Sequence, residues 1–126
     1  MMTAGQQRTY WDPEPIPREW AVKALAPGNP DEIANALVWL TYHDPDWRYV
    51  YDYCMRFAKD EDPMVRSNAA TCVGLLAVFH RAPQIKDALP LLKDMAKDPE
   101  VASFAEDAIA DIRHALRKRR VKKPRS

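Results

Sequence analysis

Asp60-Glu61-Asp62-Pro63-Met64-Val65-Arg66-Ser67-Asn68-Ala69-Ala70 is the stretch that decides how this chain folds. It opens on an acidic turn. Asp62 then stands where a side-chain oxygen can accept the free N–H groups of a first helical turn, and an acidic group favours the positive end of the helix dipole. Pro63 follows at a position where a missing N–H costs nothing. Behind it Val65, Ala69, Cys72, Val73 and Leu76 recur at three- and four-residue steps, the spacing of one buried helical face.

The same arrangement returns at Asp98-Pro99, 36 residues on. At that offset Val65 pairs with Val101, Ala69 with Ala105, Cys72 with Ala108, Val73 with Ile109 and Leu76 with Ile112. Upstream the offset becomes 38, where Phe57-Ala58-Lys59-Asp60 parallels Met95-Ala96-Lys97-Asp98. The first copy therefore has a turn two residues longer. A fainter echo at an offset of 33 sets Pro30 and Asn35-Ala36 against Pro63 and Asn68-Ala69. Helix pairs repeated at this spacing mark an α-solenoid, in which each pair buries its apolar face only against its neighbours.

Working outward, six helical segments are predicted. The first covers about 18–26, with Trp20, Ala21, Ala24 and Leu25 on one face, and stops at Pro27-Gly28. The second is capped by Asn29 and carries Ile33, Ala36, Leu37 and Leu40. The third is expected to start at Asp44-Pro45, with Trp47, Val50, Tyr53, Cys54 and Phe57 on its buried side. The fourth starts at Asp62-Pro63. The fifth runs from about 84 to 97, where Pro90 either kinks it or begins a second piece. The sixth is expected to start at Asp98-Pro99 and to keep its apolar register as far as Leu116. No segment alternates with period two, and only 3 glycines stand against 11 prolines, so no strands are expected. Fold class is thus all-α, a short solenoid of about three antiparallel helix pairs over residues 18–116. Residues 1–17 form an irregular lead-in whose Tyr10, Trp11 and Ile16 suit a cap on the first helix, and 117–126 form a basic tail.

Here the chain resembles a known family. An acidic turn, then Val65-Arg66, then Ala69-Ala70 looks like the turn and second-helix start of a HEAT repeat. Ala88-Leu89-Pro90-Leu91-Leu92 looks like a HEAT first helix with its mid-helix proline. At Asp98-Pro99-Glu100-Val101 the turn recurs with Ala102 in place of the arginine, a departure that suits a terminal repeat. The segment from Asp46-Trp47 to Phe79-His80, closed by Glu106 to Ile112, is also similar to very short bacterial HEAT proteins, some of which serve as immunity proteins beside secreted toxins. The resemblance implies that the second helix of each pair lines the concave side.

Charge is divided along the chain. Residues 1–112 hold 11 basic and all 18 acidic residues, a net −7, whereas 113–126 hold 8 basic and no acidic ones. The body attracts cationic partners and the tail anionic ones. Two functions follow. The first is a non-catalytic protein-binding module, an immunity protein whose acidic surface meets a basic toxin domain. Its candidate contacts are Tyr49, which helical spacing sets with Asp52 and Arg56 opposite the buried side of the third helix, Tyr51 at the margin of that side, and Arg66, Ser67, Thr71, Glu106, Asp107 and Asp111, with Asn35 and Ser103 as further non-core positions. The alternative is nucleic-acid binding through Arg117, Lys118, Arg119, Arg120, Lys122, Lys123 and Arg125. The same run also suits a solvated extension of the last helix, or a segment folded back on the acidic body. Arg66 has a structural reading too, an ion pair with Asp60 or Asp62.

Chemistry is poorly represented. His43, His80 and His114 fall at or near helix ends, where a cation suits the dipole. No Cys/His spacing makes a metal site, no glycine-rich loop is present, and neither Cys54 nor Cys72 has an identifiable base and orienting group. No cofactor is expected, and not an enzyme. The polar start at Met1 to Trp11 and the lack of an apolar run of about 18 residues predict a cytoplasmic protein, monomeric when free, with Cys54 and Cys72 as two buried thiols and a disulfide between them as the alternative.

Overall fold

In the computed structural model the described residues are 18–26 and 29–122. They form α1 (Arg18–Ala24), α2 (Pro30–His43), α3 (Trp47–Phe57), α4 (Pro63–His80), a 3-10 segment (Pro83–Ala88), α5 (Leu89–Met95) and α6 (Ala102–Lys122), with no strand among them. The lead-in side chains Tyr10, Trp11 and Ile16 lie outside the described residues, as do Lys123 and Arg125.

Side-chain caps start the helices. Asn29 Oδ1 accepts from the backbone N–H groups of Asp31 and Glu32 at 2.9 and 3.3 Å, and Asp62 Oδ1 accepts from Met64 and Val65 at 2.8 and 3.3 Å. The other two Asp-Pro pairs among the described residues behave differently from the sequence expectation. α3 starts at Trp47, capped by Asp46, whose Oδ1 accepts from Tyr49 N–H at 3.2 Å. Asp44 instead closes α2, with its own N–H donating to Leu40 O. Likewise α6 starts at Ala102. The Asp98 carboxylate accepts Glu100 N–H at 3.0 Å, and Val101 N–H bonds back to Asp98 O, one residue tighter than an α-turn. The fifth segment is two pieces, with Pro90 the second residue of α5, where its missing N–H is harmless.

The helices form two layers. α2, α4 and α6 lie side by side in one. In the other, α1 packs on α2, α3 on α2 and α4, and α5 with the 3-10 segment on α6. Short connections between packed neighbours make each successive pair antiparallel. α4 sits at the centre, with Val65, Ala69, Cys72, Val73 and Leu76 fully buried, and Leu37, Leu40, Val50, Cys54, Ile85, Leu92 and Ile112 closing around it. Gly74 lets α6 approach closely: a Cβ there would lie 3.0 Å from Ala108 Cα and 2.9 Å from Asp111 Oδ2. The exposed lateral side of α6, with Ser103, Glu106, Ala110 and Arg113, ends the stack in mostly polar residues, as a terminal repeat requires.

Two arginines fasten the turns. Arg66 donates through Nη1 to Asp60 O and Glu61 O, both at 3.1 Å, and through Nη2 to Asp98 Oδ2 at 2.9 Å. It thus joins the turn before α4 to the turn before α6, and its carboxylate partner is Asp98 in place of the expected Asp60 or Asp62. Arg18 makes a fork to Asp44 at 2.9 and 3.0 Å, tying α1 to the end of α2.

Cys54 and Cys72 are both buried free thiols beside Thr41. The hydrogen bond to Cys72, with burial, holds Cys54 well above the usual thiol range, so it stays protonated and unreactive.

Val65→Asp should unfold the protein, because it places an unpaired carboxylate at the centre of the core, at a cost of several kcal/mol against a total of about 5–15. Ile109→Asp should destabilise less, since Ile109 lies at the rim of the core, 9% exposed. Urea midpoints for the two would show this order. The Arg18 guanidinium, more than burial opposes it, holds the Asp44 carboxyl below its ordinary value. Its contribution to stability is therefore present above the unfolded carboxylate pKa of about 3.9 and lost as pH falls through the lower, folded value. Asp44→Asn should be less stable than the parent at pH 7, with the gap closing on acidification below about pH 4. An unchanged gap in pH-dependent melting would contradict the assignment.

Candidate functional site

The second-helix layer exposes one stripe per helix. On α4, Met64, Asn68, Thr71, Leu75 and Val78 recur at three- and four-residue steps, directed away from Val65, Cys72 and Leu76. On α6 the corresponding positions are Phe104, Asp107, Asp111 and His114. On α2, Val38 and Tyr42 continue the face.

Among the described residues the exposed large apolar side chains are Tyr42, Met64, Val78, Phe79 and Phe104. All five belong to α2, α4 or α6. Tyr42 and Phe79 meet with their rings tilted and their centroids 5.2 Å apart, bridging the C-terminal ends of α2 and α4. At the other end of α4, Met64 and Phe104 flank a hollow of about 300 Å³ also lined by Pro63, Ser67, Asn68, Thr71 and Glu100. A neighbouring hollow of about 440 Å³ lies between α2 and the Asp60-Glu61-Asp62 turn, floored by Ile33 and Val65.

The candidate residues named from sequence do not share one surface. Thr71, Asp107 and Asp111 share the second-helix face, with Thr71 exposed in the first hollow. Ser67 is at the edge of the same hollow but nearly buried against α6, with its hydroxyl donating to Pro63 O at 2.8 Å. Arg66 is engaged by the two turns, its side chain 16% exposed. Glu106 points toward the open end of the stack, one helical step away from Asp107. Tyr49 and Tyr51 lie in the other layer. Tyr49 is covered by the Arg18 guanidinium 3.8 Å above its ring and meets Tyr53 edge-on at 5.3 Å, so it does not stand free on the far side of α3 as its spacing suggested. Tyr51 is half-buried against Trp47, and burial raises its pKa. Asn35 and Ser103 are exposed on α2 and α6.

Burial and the neighbouring Asp107 push the Asp111 carboxyl above its usual range, while His114 opposes the shift. His114 lies within α6 and not near its end, because the helix continues through the strongly helix-forming run Arg117 to Lys122. Of that run Arg117 is exposed; the side chains of Lys118, Arg119, Arg120 and Lys122 lie outside those described.

Sequence reasoning missed Met64, Phe104, Val78, Phe79 and Tyr42. Each stands off the core register of its helix, so the signal was a large apolar residue at a position assigned to solvent. No group of three or more side chains able to hold a metal ion occurs among the described residues. Nor is any helix among them long and apolar enough to cross a membrane.

Comparison with known proteins agrees with this architecture. A chain in the crystal structure of a CDI complex from Cupriavidus taiwanensis LMG 19424 is 33% identical and superposes with a TM-score of 0.73, over 89% of this chain and 99% of that one. No curated protein matches at a significant level. The family model for HEAT repeats matches residues 6–117. The repeat at Asp62-Pro63 and Asp98-Pro99, the two-layer stacking and this match agree: the chain belongs to the HEAT-repeat family.

Proposed function

We propose that the chain is a non-catalytic binding module that neutralises a protein toxin, with a basic toxin domain seated on the second-helix face. One observation carries the reading. Among the described residues the exposed large apolar side chains all lie on α2, α4 and α6, and on α6 Phe104 shares its stripe with Asp107 and Asp111. Large apolar residues left in water and rimmed by charge are characteristic of protein-binding surfaces. The carboxylates select a cationic partner and speed its approach, and the apolar groups supply contact area. Support also comes from the similar chain in the CDI complex, which is a component of an assembly. The resemblance to short HEAT immunity proteins points the same way.

Asp111 adds an independent argument. Its carboxylate is partly desolvated at the Gly74 contact and lies near Asp107. A group whose folded pKa is raised lowers stability at all pH values above that pKa. A charge held at such a cost suits a binding role better than a structural one.

The test uses the full chain and the product of the reading frame adjoining its own. Asp107→Lys with Asp111→Lys should slow association at least tenfold at low salt, whereas Glu106→Lys should have a smaller effect. Removal of residues 117–126 takes away seven basic groups and leaves the apolar register of the last helix, which ends at Leu116, intact. It should leave the association rate equal or faster. Should truncation abolish binding while the double reversal does nothing, the basic tail is the site and the nucleic-acid alternative takes over. Separately, Asp111→Asn should melt at a temperature equal to or above the parent's at pH 7 yet bind the partner more weakly; a clear loss of thermal stability would make Asp111 a structural residue.

A further inference from the structure

The hollow between α4 and α6 has a lining that selects its occupant. Its apolar walls are Pro63, Met64 and Phe104, of which Met64 and Phe104 are well exposed. Its polar groups leave acceptors for a ligand and few donors. Asn68 commits one amide hydrogen to Met64 O at 2.9 Å, which leaves its Oδ1 and a second N–H, and the Thr71 hydroxyl can accept or donate. Ser67 commits its hydroxyl hydrogen to Pro63 O. Glu100 adds a carboxylate that is 66% exposed and meets Arg66 only at 3.7 Å.

An anion does not fit, although the hollow adjoins the start of a helix. The N–H groups of Met64 and Val65 are taken by Asp62 Oδ1, and that of Arg66 by Asp62 O at 3.0 Å. The first turn therefore offers no donor, and Glu100 repels negative charge. What fits is a side chain with an apolar stem and a flat, donor-only, cationic end. Arginine has that form: its stem lies on Met64, its guanidinium plane stacks on an aromatic ring, and its several N–H groups reach separated acceptors.

We propose that this hollow is a receptor for an arginine side chain of the partner, held by Phe104, Asn68 and Glu100. The assignment rests on the binding role proposed above and gives that role a specific anchor. Rim charges govern approach, and the enclosed arginine governs residence.

The experiment titrates the full ¹⁵N-labelled chain with the capped tripeptide acetyl-Gly-Arg-Gly-amide, alongside versions carrying lysine or citrulline. Binding should be weak but saturable, with amide shifts centred on Met64, Asn68, Thr71 and Phe104. Citrulline, which keeps the shape and loses the charge, should bind about tenfold more weakly, as should the arginine peptide to Glu100→Gln. Phe104→Ala, at an exposed position that leaves the core intact, should remove the preference for arginine over lysine. Shifts that fail to saturate, that centre on Asp60 to Asp62, or that are equal for arginine and citrulline would overturn the proposal. Such a failure is distinct from failure of the binding role, which is read from Asp107 and Asp111 against the whole partner.

Discussion

Everything in this protein is arranged around the covering of α4. Six of its side chains have no exposure at all, and no single neighbour can cover them. α3 covers one side, α2 a second and α6 a third, the last at a spacing that only Gly74 permits. A helix enclosed on three sides keeps one free stripe. That stripe is where Met64, Asn68, Thr71, Leu75 and Val78 meet solvent. The candidate face is thus a geometric consequence of how the core closes.

Arginine–carboxylate bonds then fasten the turns to one another and to neighbouring helices. A long side chain lying across a turn, bonded to two carbonyls of its own repeat and a carboxylate of the next, restrains both position and rotation. Packing of small residues such as Ala69, Ala70, Ala105 and Ala108 gives little directional preference, so polar fixing of the turns matters more here than in a core of large interlocking side chains. The same fixing brings Glu100 beside Pro63 and Phe104, and so shapes the hollow at the start of α4.

Polar groups are divided by task. Arg18, Asp44, Arg66 and Asp98 are satisfied by one another and by backbone. Asp107 and Asp111 make no such hydrogen bond or ion pair among the described residues, and burial and Asp107 oppose the ionisation of Asp111, with His114 acting the other way. A terminal repeat tolerates this because its outer side needs to be polar in any case. The apolar residues of the face are split between two ends, with Tyr42 and Phe79 at one and Met64 and Phe104 at the other. A partner covering both would span the length of α4.

Local sequence determined the helices, because caps and apolar spacing act within a few residues. Asn29 and Asp62 could be assigned before any contact was known, and the repeat followed from the 36-residue offset. The same local logic misassigned Asp44 and Asp98, since a carboxylate can cap a helix or bind a distant arginine, and only the fold brings Arg18 to one and Arg66 to the other. It also placed Tyr49 in solvent, because nothing in α3 itself reveals that α1 lies over it. For the face, sequence supplied the acidic body and the choice of α2, α4 and α6. Which exposed positions share a surface was decided by tertiary structure alone. Periodicity gives a residue's angle on its own helix, and the rotation of each helix against the next is set by packing between residues far apart in the chain.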